Sequence, residues 1–193
     1  MELIFVTGNA LKFSMAQHMC SKHGITLVQN VADIDEIQGE DSELIARDKA
    51  QKAYDLVGKP VVISDDSWAF SGINGFPGPY MKSVNQWFTA KDFVNLTRDL
   101  TDRQVILSQY LVYKDEHETV LFQKDIRGTL LKEARGNYRS ALLQVVALDS
   151  DDGKSMAEIY DADQAHTPER LAKHPEAWTE LAEWYRKSHE KQS

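Results

Sequence analysis

The most informative stretch of this chain is residues 3–12, which read Leu3-Ile4-Phe5-Val6-Thr7-Gly8-Asn9-Ala10-Leu11-Lys12. An apolar run typical of a buried strand ends in Thr-Gly-Asn, and a segment with helical character follows it. Such a strand–turn–helix unit directs backbone N–H groups and the positive end of a helix dipole toward one spot. Lys12, about one turn into the helix, adds a cation there. The unit therefore predicts a phosphate-binding turn.

The same turn also has an ordinary structural interpretation. Gly8 permits a backbone conformation, or a close approach, that a Cβ would block. Asn9 either caps the helix or reaches a ligand oxygen, so a capped turn followed by a solvated lysine fits the residues too. The turn is not a Walker loop, because no Gly-Lys-Ser/Thr sequence closes a longer glycine loop.

A second candidate is the carboxylate pair in Ser64-Asp65-Asp66-Ser67, which follows the apolar run Pro60 to Ile63. We expect a short strand, 61–63, to end at this pair, so that both carboxylates reach one site. One carboxylate would hold Mg²⁺ and the other would activate or orient water. Capping or turn formation is the alternative. A phosphate-binding turn beside strand-end carboxylates predicts metal-assisted phosphate-ester or anhydride chemistry.

An acidic loop, residues 32–41, precedes the second predicted helix. Its carboxylates repel one another unless they are solvated or bridged by a cation. Lys49 and Lys52 on the following helix either face phosphates or form its solvated side. The loop carboxylates are Asp33, Asp35, Glu36, Glu40 and Asp41.

The segment 75–82 is rich in glycine, proline and aromatic residues, which predicts a stiff connection rather than a random linker. Phe76 and Tyr80 either stack on a base or fill the core. Lys82 is placed to reach a phosphate.

Length, composition and net charge indicate which classes of protein are compatible with this sequence. The chain has 193 residues, 42% of them hydrophobic and 27% charged, which predicts one soluble globular domain. A net charge of −8 argues against a broad nucleic-acid-binding surface but not against a small phosphorylated ligand. Cys20 is the only cysteine, so neither an internal disulfide nor a cysteine zinc site is possible. We find no signal peptide and no membrane span, and a reducing cytoplasm is the expected location.

The order of predicted elements indicates an α/β chain with a mixed sheet. Strand and helix patterns alternate early, and from about residue 105 the apolar period changes to two, which is typical of antiparallel strands. A cleft between these two regions is the expected ligand site. Strands are predicted at 3–7, 25–31, 61–63, 105–112, 119–125, 128–131 and 140–148, and helices at 9–23, 42–57, 84–98 and 175–189.

Four segments together resemble the inosine triphosphate pyrophosphatase family, and their order and spacing agree with it. The resemblance implies an elongated mixed α/β fold with flanking helices and two lobes around a central cleft, in a single domain that forms a homodimer. It also implies Mg²⁺-dependent hydrolysis of non-standard purine nucleoside triphosphates (ITP, dITP and XTP) to the monophosphate and pyrophosphate. The segments are Phe5 to Lys12, Glu36-Ile37-Gln38-Gly39-Glu40, Ile63 to Ser67, and Asn74 to Lys82.

The resemblance assigns roles to individual residues. Residues 1–100 would form the phosphate and metal half, and residues 101–193 the base-reading half. Asp66 would help to activate water, with Asp65 adjoining. Combined with the predictions made above from the residues themselves, the catalytic set is Asp66, Asp65 and Lys12, the substrate-binding set is Thr7, Gly8, Asn9, Lys12, Lys49, Phe76, Lys82 and His174, and the metal ligands are Glu36 and Asp66.

The C-terminal half departs from the family pattern. The family's Phe-Gly-Trp/Tyr-Asp-Pro-x-Phe motif is absent from Gly136 to Val145, where Tyr138, Arg139 and Gln144 offer a different edge for reading a base. Of the family's Ser-His-Arg motif only His174 is retained, whereas Ser155 to Ile159 does resemble its Thr-x-Ala-Glu-Met stretch. Two alternatives stay open: the same reaction on a different modified or pyrimidine nucleotide, and a non-catalytic nucleotide-binding protein.

Overall fold

The computed structural model describes residues 1–165, 167, 170 and 177–190. Seven strands and six α-helices are present in these residues. The strands are β1 (Glu2–Val6), β2 (Thr26–Asn30), β3 (Val61–Phe70), β4 (Phe76–Gly78), β5 (Gln104–Lys114), β6 (Thr119–Leu130) and β7 (Val146–Leu148). The helices are α1 (Ala10–Ser21), α2 (Ser42–Val57), α3 (Met81–Trp87), α4 (Ala90–Leu96), α5 (Met156–Asp161) and α6 (Ala177–Glu190).

All seven strands belong to one mixed sheet with the order β2-β1-β3-β5-β6-β7, and β4 pairs with β3 off this path. β1 runs parallel to β2 and to β3. β4 pairs antiparallel with β3, and β7 pairs antiparallel with β6. The predicted α/β class, a mixed sheet with flanking helices, is confirmed. Within the described residues, no helix has both the length and the apolar character that crossing a membrane requires.

The chain divides into two compact units, and the first comprises Met1–Asp65, Gln109–Lys124 and Glu176–Ser193. On one face of its strands, the alanines of α2 pack against Val6, Val61, Ile63 and Val112. On the other face, the Phe5 ring lies 6.4 Å from Phe13 of α1 and 4.8 Å from Trp178 of α6. The sheet of this unit is therefore covered by helices on both faces, which explains its continuous apolar runs.

The second unit comprises Asp66–Ser108 and Asp125–Pro175 and has its own core. Phe70 and Phe93 are fully buried there, with ring centroids 6.2 Å apart. Gly128 in β6 faces Leu148 in β7, where a Cβ would lie 2.5 Å from the carbonyl oxygen of Ala147. Only glycine lets these two backbones approach so closely.

The structure corrects several predicted boundaries. β3 does not end at Ile63 but continues to Phe70, and β4 pairs with its last three residues. The predicted helix 84–98 is two short helices, α3 and α4, and the two predicted strands 119–125 and 128–131 are one strand, β6. Of the predicted strand 140–148, only β7 is extended.

The helix boundaries were predicted more closely. Asn9 caps α1, as one of its two interpretations required. Gly58 ends α2 with a left-handed φ of 65°, a conformation that glycine adopts without strain. Ser42 has a side chain that suits an N-cap, but it is the first residue of α2. The cap is Asp41, which accepts a 3.0 Å hydrogen bond from the N–H of Leu44.

Candidate functional site

The β1–α1 turn, Thr7-Gly8-Asn9, is built by its own side chains. The N–H of Asn9 donates to Thr7 Oγ1 at 3.1 Å. Asn9 Oδ1 accepts from the N–H groups of Leu11 and Lys12 at 3.0 and 3.1 Å. Since two backbone donors occupy the Asn9 oxygen, its amide NH₂ group is the end that is left for a ligand.

Gly8 is not required by the protein's own packing. It does not have a left-handed φ, and the nearest atom to a Cβ built there would be Val31 Cγ1 at 3.9 Å, an ordinary van der Waals distance. The prediction that Gly8 is needed for a left-handed backbone conformation is therefore wrong. Close approach by a ligand, the other reason, stays a prediction.

Opposite charges are paired between the acidic loop and α2. Lys49 Nζ lies 2.6 Å from Glu36 Oε1, and their side chains are only 17% and 29% exposed. Lys52 Nζ donates to the carbonyl of Asp35 at 2.7 Å and pairs with Asp48 at 2.8 Å. Both lysines thus face the loop, and Lys49 in particular is not a freely solvated helix side chain.

The carboxylates Asp65 and Asp66 lie inside β3, not at its end as predicted. Alternation along a strand sends neighbouring side chains to opposite faces. Val61 and Ile63 pack on the α2 side, so Asp65 belongs to that face. Asp66 belongs to the opposite face, and both carboxylates are partly exposed.

The second unit contains other predicted residues. Phe76 is 37% exposed and sits edge-on to Phe70, with centroids 6.4 Å apart, so part of its ring serves the core and part stays accessible. Lys82 lies on α3 and is exposed. His174 lies outside the described residues, and the structure neither supports nor opposes its predicted role.

The region that departs from the family pattern is tied together internally. The rings of Tyr138 and Tyr160 stack with centroids 4.7 Å apart, and Gln144 Nε2 donates to the carbonyl of Tyr138 at 3.0 Å.

The Ser155–Glu158 stretch, which resembles the family, forms a capping box. Ser155 Oγ accepts from the N–H of Glu158, and the Glu158 carboxylate accepts from the N–H of Ser155. Its local role is to start α5.

Sequence reasoning missed a buried ion pair in this unit. The guanidinium of Arg170 donates to both carboxylate oxygens of Asp151, at 2.8 and 3.2 Å, and their side chains are 7% and 0% exposed. The pair borders a cavity of about 260 Å³ that none of the predicted site residues lines. The partners are 19 residues apart and carry no local motif, so no sequence signal identified them.

Comparison with known proteins places the chain. A model of the Ham1 family matches residues 3–174. The chain belongs to the Ham1 family. Among its relatives, the dITP/XTP pyrophosphatase of Methanopyrus kandleri is 25% identical over 187 residues, which cover 96% of this chain and 97% of that protein. The inosine triphosphate pyrophosphatase of Candida glabrata is 32% identical over 142 residues, covering 70% and 73% of the two chains.

Solved Ham1 structures confirm the fold. A HAM1 protein from Coxiella burnetii matches with a TM-score of 0.77 over 97% of this chain and 99% of that protein, at 17% identity. Membership in the Ham1 family also confirms the resemblance to the inosine triphosphate pyrophosphatases that the four segments indicated.

Proposed function

We propose that this chain is a nucleoside triphosphate pyrophosphatase that hydrolyses non-standard purine nucleotides (ITP, dITP and XTP) to the monophosphate and pyrophosphate. The observation that carries the proposal is the β1–α1 turn, in which Gly8 has no structural need to be glycine. Two relatives in the same family, matched over 97% and 73% of their own length, bear the names of such pyrophosphatases. The chain's activity is thus a hydrolysis of phosphoric anhydrides.

The phosphate-binding role falls to Thr7, Gly8, Asn9, Lys12 and Lys49. The dipole of α1 favours an anion at the turn, and α1 has no acidic residue in its first turn to oppose one. The absence of a Cβ at Gly8 lets a phosphate oxygen approach the backbone. Lys12 and Lys49 add the charge that a triphosphate requires.

The proposed metal ligands are Glu36 and Asp66, with Mg²⁺ as the ion. Carboxylate oxygens are the donors that Mg²⁺ prefers, and one or two of them suffice when substrate phosphates and water complete its octahedron. In the part of the chain that is described, no three His, Cys, Asp or Glu side chains converge on one point. This donor set fits an ion that arrives with the triphosphate. When bound, the ion would offset the charge on the phosphates.

The chain's own groups complete the reaction. A water molecule oriented by Asp65 or Asp66 attacks the α-phosphorus, and the bond from that phosphorus to the bridging oxygen breaks. Pyrophosphate leaves with the bridging oxygen, and the carboxylate accepts the proton of the water. Lys12 and Lys49 stabilise the negative charge that moves onto the leaving group.

Base selection is assigned to the second unit, where Phe76 offers a partly exposed ring and Lys82 a cation. His174 keeps its predicted contact with the substrate as part of this proposal. A second substrate class is favoured by one observation: where the family motif is absent, Gln144 is bound to the Tyr138 backbone and Tyr138 is stacked on Tyr160. A pocket built on these residues would read a different base edge.

Pyrophosphate release with Mg²⁺ tests the proposal across ITP, XTP, dITP and the eight standard nucleoside triphosphates. We expect at least tenfold preference for ITP, XTP or dITP. Preference for another nucleotide would favour the second substrate class, and no hydrolysis of any of them would favour a binding protein. Asp66→Asn should abolish release while circular dichroism shows a folded chain, and full activity in this variant would refute the role of Asp66.

The assembly and location belong to the proposal as well. We propose a homodimer that acts in the cytoplasm on free nucleotides and binds neither nucleic acid nor membrane. Light scattering coupled to size-exclusion chromatography gives the mass, and 21.9 kDa is the value for one chain. A monomer in the active preparation would refute the dimer.

A further inference from the structure

Two buried oxygen atoms in the first unit have no hydrogen-bond partner among the described residues: the hydroxyl of Ser64 and the side-chain carbonyl of Gln109. Buried polar atoms are almost always hydrogen-bonded in native proteins, so each exception needs an explanation. Leaving such an atom without a partner lowers stability. An apolar side chain at either position would avoid this loss.

The two atoms belong to the same side of neighbouring strands. Ser64 lies on β3 and Gln109 on β5, which are adjacent in the sheet. Ile63 next to Ser64, and Tyr110 next to Gln109, both pack on the α2 side. By strand alternation, Ser64 and Gln109 therefore point to the opposite face, where α1 and α6 pack.

This face also leads to the β1–α1 turn. β1 and β3 run parallel with Phe5 opposite Val62. Continuing that register by two residues places Ser64 level with Thr7, the first residue of the turn. Two residues further along β3, Asp66 projects to the same face as Ser64. The oxygens of Ser64 and Gln109 thus lie on the same face of the sheet as Asp66, one of the proposed catalytic residues, and Ser64 is level with Thr7 at the end of β1.

We propose that Ser64 and Gln109 are positioning residues that together hold the attacking water of the pyrophosphatase reaction; this inference rests on the proposed function. The water accepts a hydrogen bond from the Ser64 hydroxyl and donates one to Gln109 Oε1. One hydrogen and one lone pair of the water then remain. The hydrogen is available to the Asp66 carboxylate, and the lone pair is directed at the α-phosphorus.

This arrangement explains why the chain keeps two polar atoms where packing alone would select apolar ones. A bound water satisfies both oxygens at once, and buried water makes two to four such bonds in general, about three on average. The step adds no new reagent: the water's oxygen joins the α-phosphorus, its proton passes to the carboxylate, and pyrophosphate leaves.

Ser64→Ala and Gln109→Met test the inference, with Ser108→Ala as the matched control. Ser108 is the neighbour of Gln109 on β5, and its hydroxyl is already satisfied by Asp125 at 2.7 Å. We expect the two test variants to lower kcat at least tenfold with KM for the nucleotide changed less than threefold. Their Tm should be unchanged or higher, because each removes a buried atom without a partner in the chain. Ser108→Ala should leave kcat within twofold.

The double variant Ser64→Ala/Gln109→Met separates positioning from a structural role. Since both residues hold the same water, the double variant should be no more than about twofold slower than the slower single variant, whereas independent effects multiply. Multiplying effects, unchanged kcat in either single variant, or a Tm loss that accounts for the lost activity would overturn the inference. If the unmodified protein hydrolyses none of the nucleotides, the proposed function fails first, so the two failures are distinguishable.

Discussion

Gly8→Ala is the sharpest test of the β1–α1 turn. The structure predicts that it raises thermal stability, whereas the proposed function predicts that it weakens nucleotide binding. The position lacks a left-handed φ, and the new Cβ would lie 3.9 Å from Val31, without a clash. Replacing glycine by alanine at a compatible position stabilises a protein by about 0.4–1 kcal/mol, since the unfolded chain loses freedom. For a chain of this size that corresponds to a rise in Tm of about 1–4 °C.

Substrate binding should weaken in the same variant. The new Cβ would crowd the backbone of the turn that the proposed phosphate approaches, and losing one hydrogen bond to a charged group costs about 1.5–3 kcal/mol. Since every 1.4 kcal/mol is a factor of ten, KM should rise about tenfold to a hundredfold. The phosphates are bound similarly before and during the reaction, so kcat should change much less than KM.

The assay pairs thermal unfolding with steady-state pyrophosphate release on the preferred nucleotide. Gly39→Ala is the stability control, because it also lacks a left-handed φ and has open space around its Cβ position. Both variants should gain similar stability. A fall in Tm for Gly8→Ala would show that the glycine is structural, and an unchanged KM would refute a phosphate at this turn.

Four further predictions follow from single contacts. Asn9→Ala should lower Tm by about 2–4 °C through loss of the α1 cap, whereas Asn9→Asp should keep Tm but raise KM for the nucleotide. Gly128→Ala should lower Tm by several degrees, because the Cβ would lie 2.5 Å from a carbonyl oxygen of the next strand. Arg170→Met leaves the buried Asp151 carboxylate without its partner, at a cost of about 3–5 kcal/mol in the free energy of unfolding, measured by urea titration. Burial raises the pKa of Cys20 to about 12, so its thiol should react with a thiol reagent at pH 8 only after denaturation.

The local features of the site could be predicted from sequence because their causes are local. The cap by Asn9 and the end of α2 at Gly58 each depend on a few neighbouring residues. The length of β3 could not be predicted in this way. The last three residues of β3 pair with β4, whose Pro77 faces Ala69 in the register, and polar residues such as Asp65 and Asp66 normally argue against a strand.

Long-range partners account for the rest. The predicted strand 140–148 is mostly not extended, since the Asn85 side chain accepts from Ser140 and from the N–H of Leu142, a contact across more than fifty residues. The pairing of Asp151 with Arg170 has the same character. Gln109 carried a weak signal, a polar residue within an apolar strand pattern, whereas Ser64 lay beyond the predicted strand 61–63. Only the structure shows that their oxygens lack partners among the described residues.

The pairing of Lys49 with Glu36 reconciles the two interpretations of the acidic loop. A solvated loop and a cation-bridged loop were both open, and the structure shows a partly buried bridge in which the cation is Lys49. A magnesium triphosphate brings both signs of charge to such a bridge: its phosphates suit Lys49 and its ion suits Glu36. In the proposed complex, Lys49 would exchange Glu36 for a phosphate and Glu36 would exchange Lys49 for the ion, so each charge would keep a partner of opposite sign. Neither residue alone would have that property, which is why the loop and α2 are best understood as one element of the proposed site.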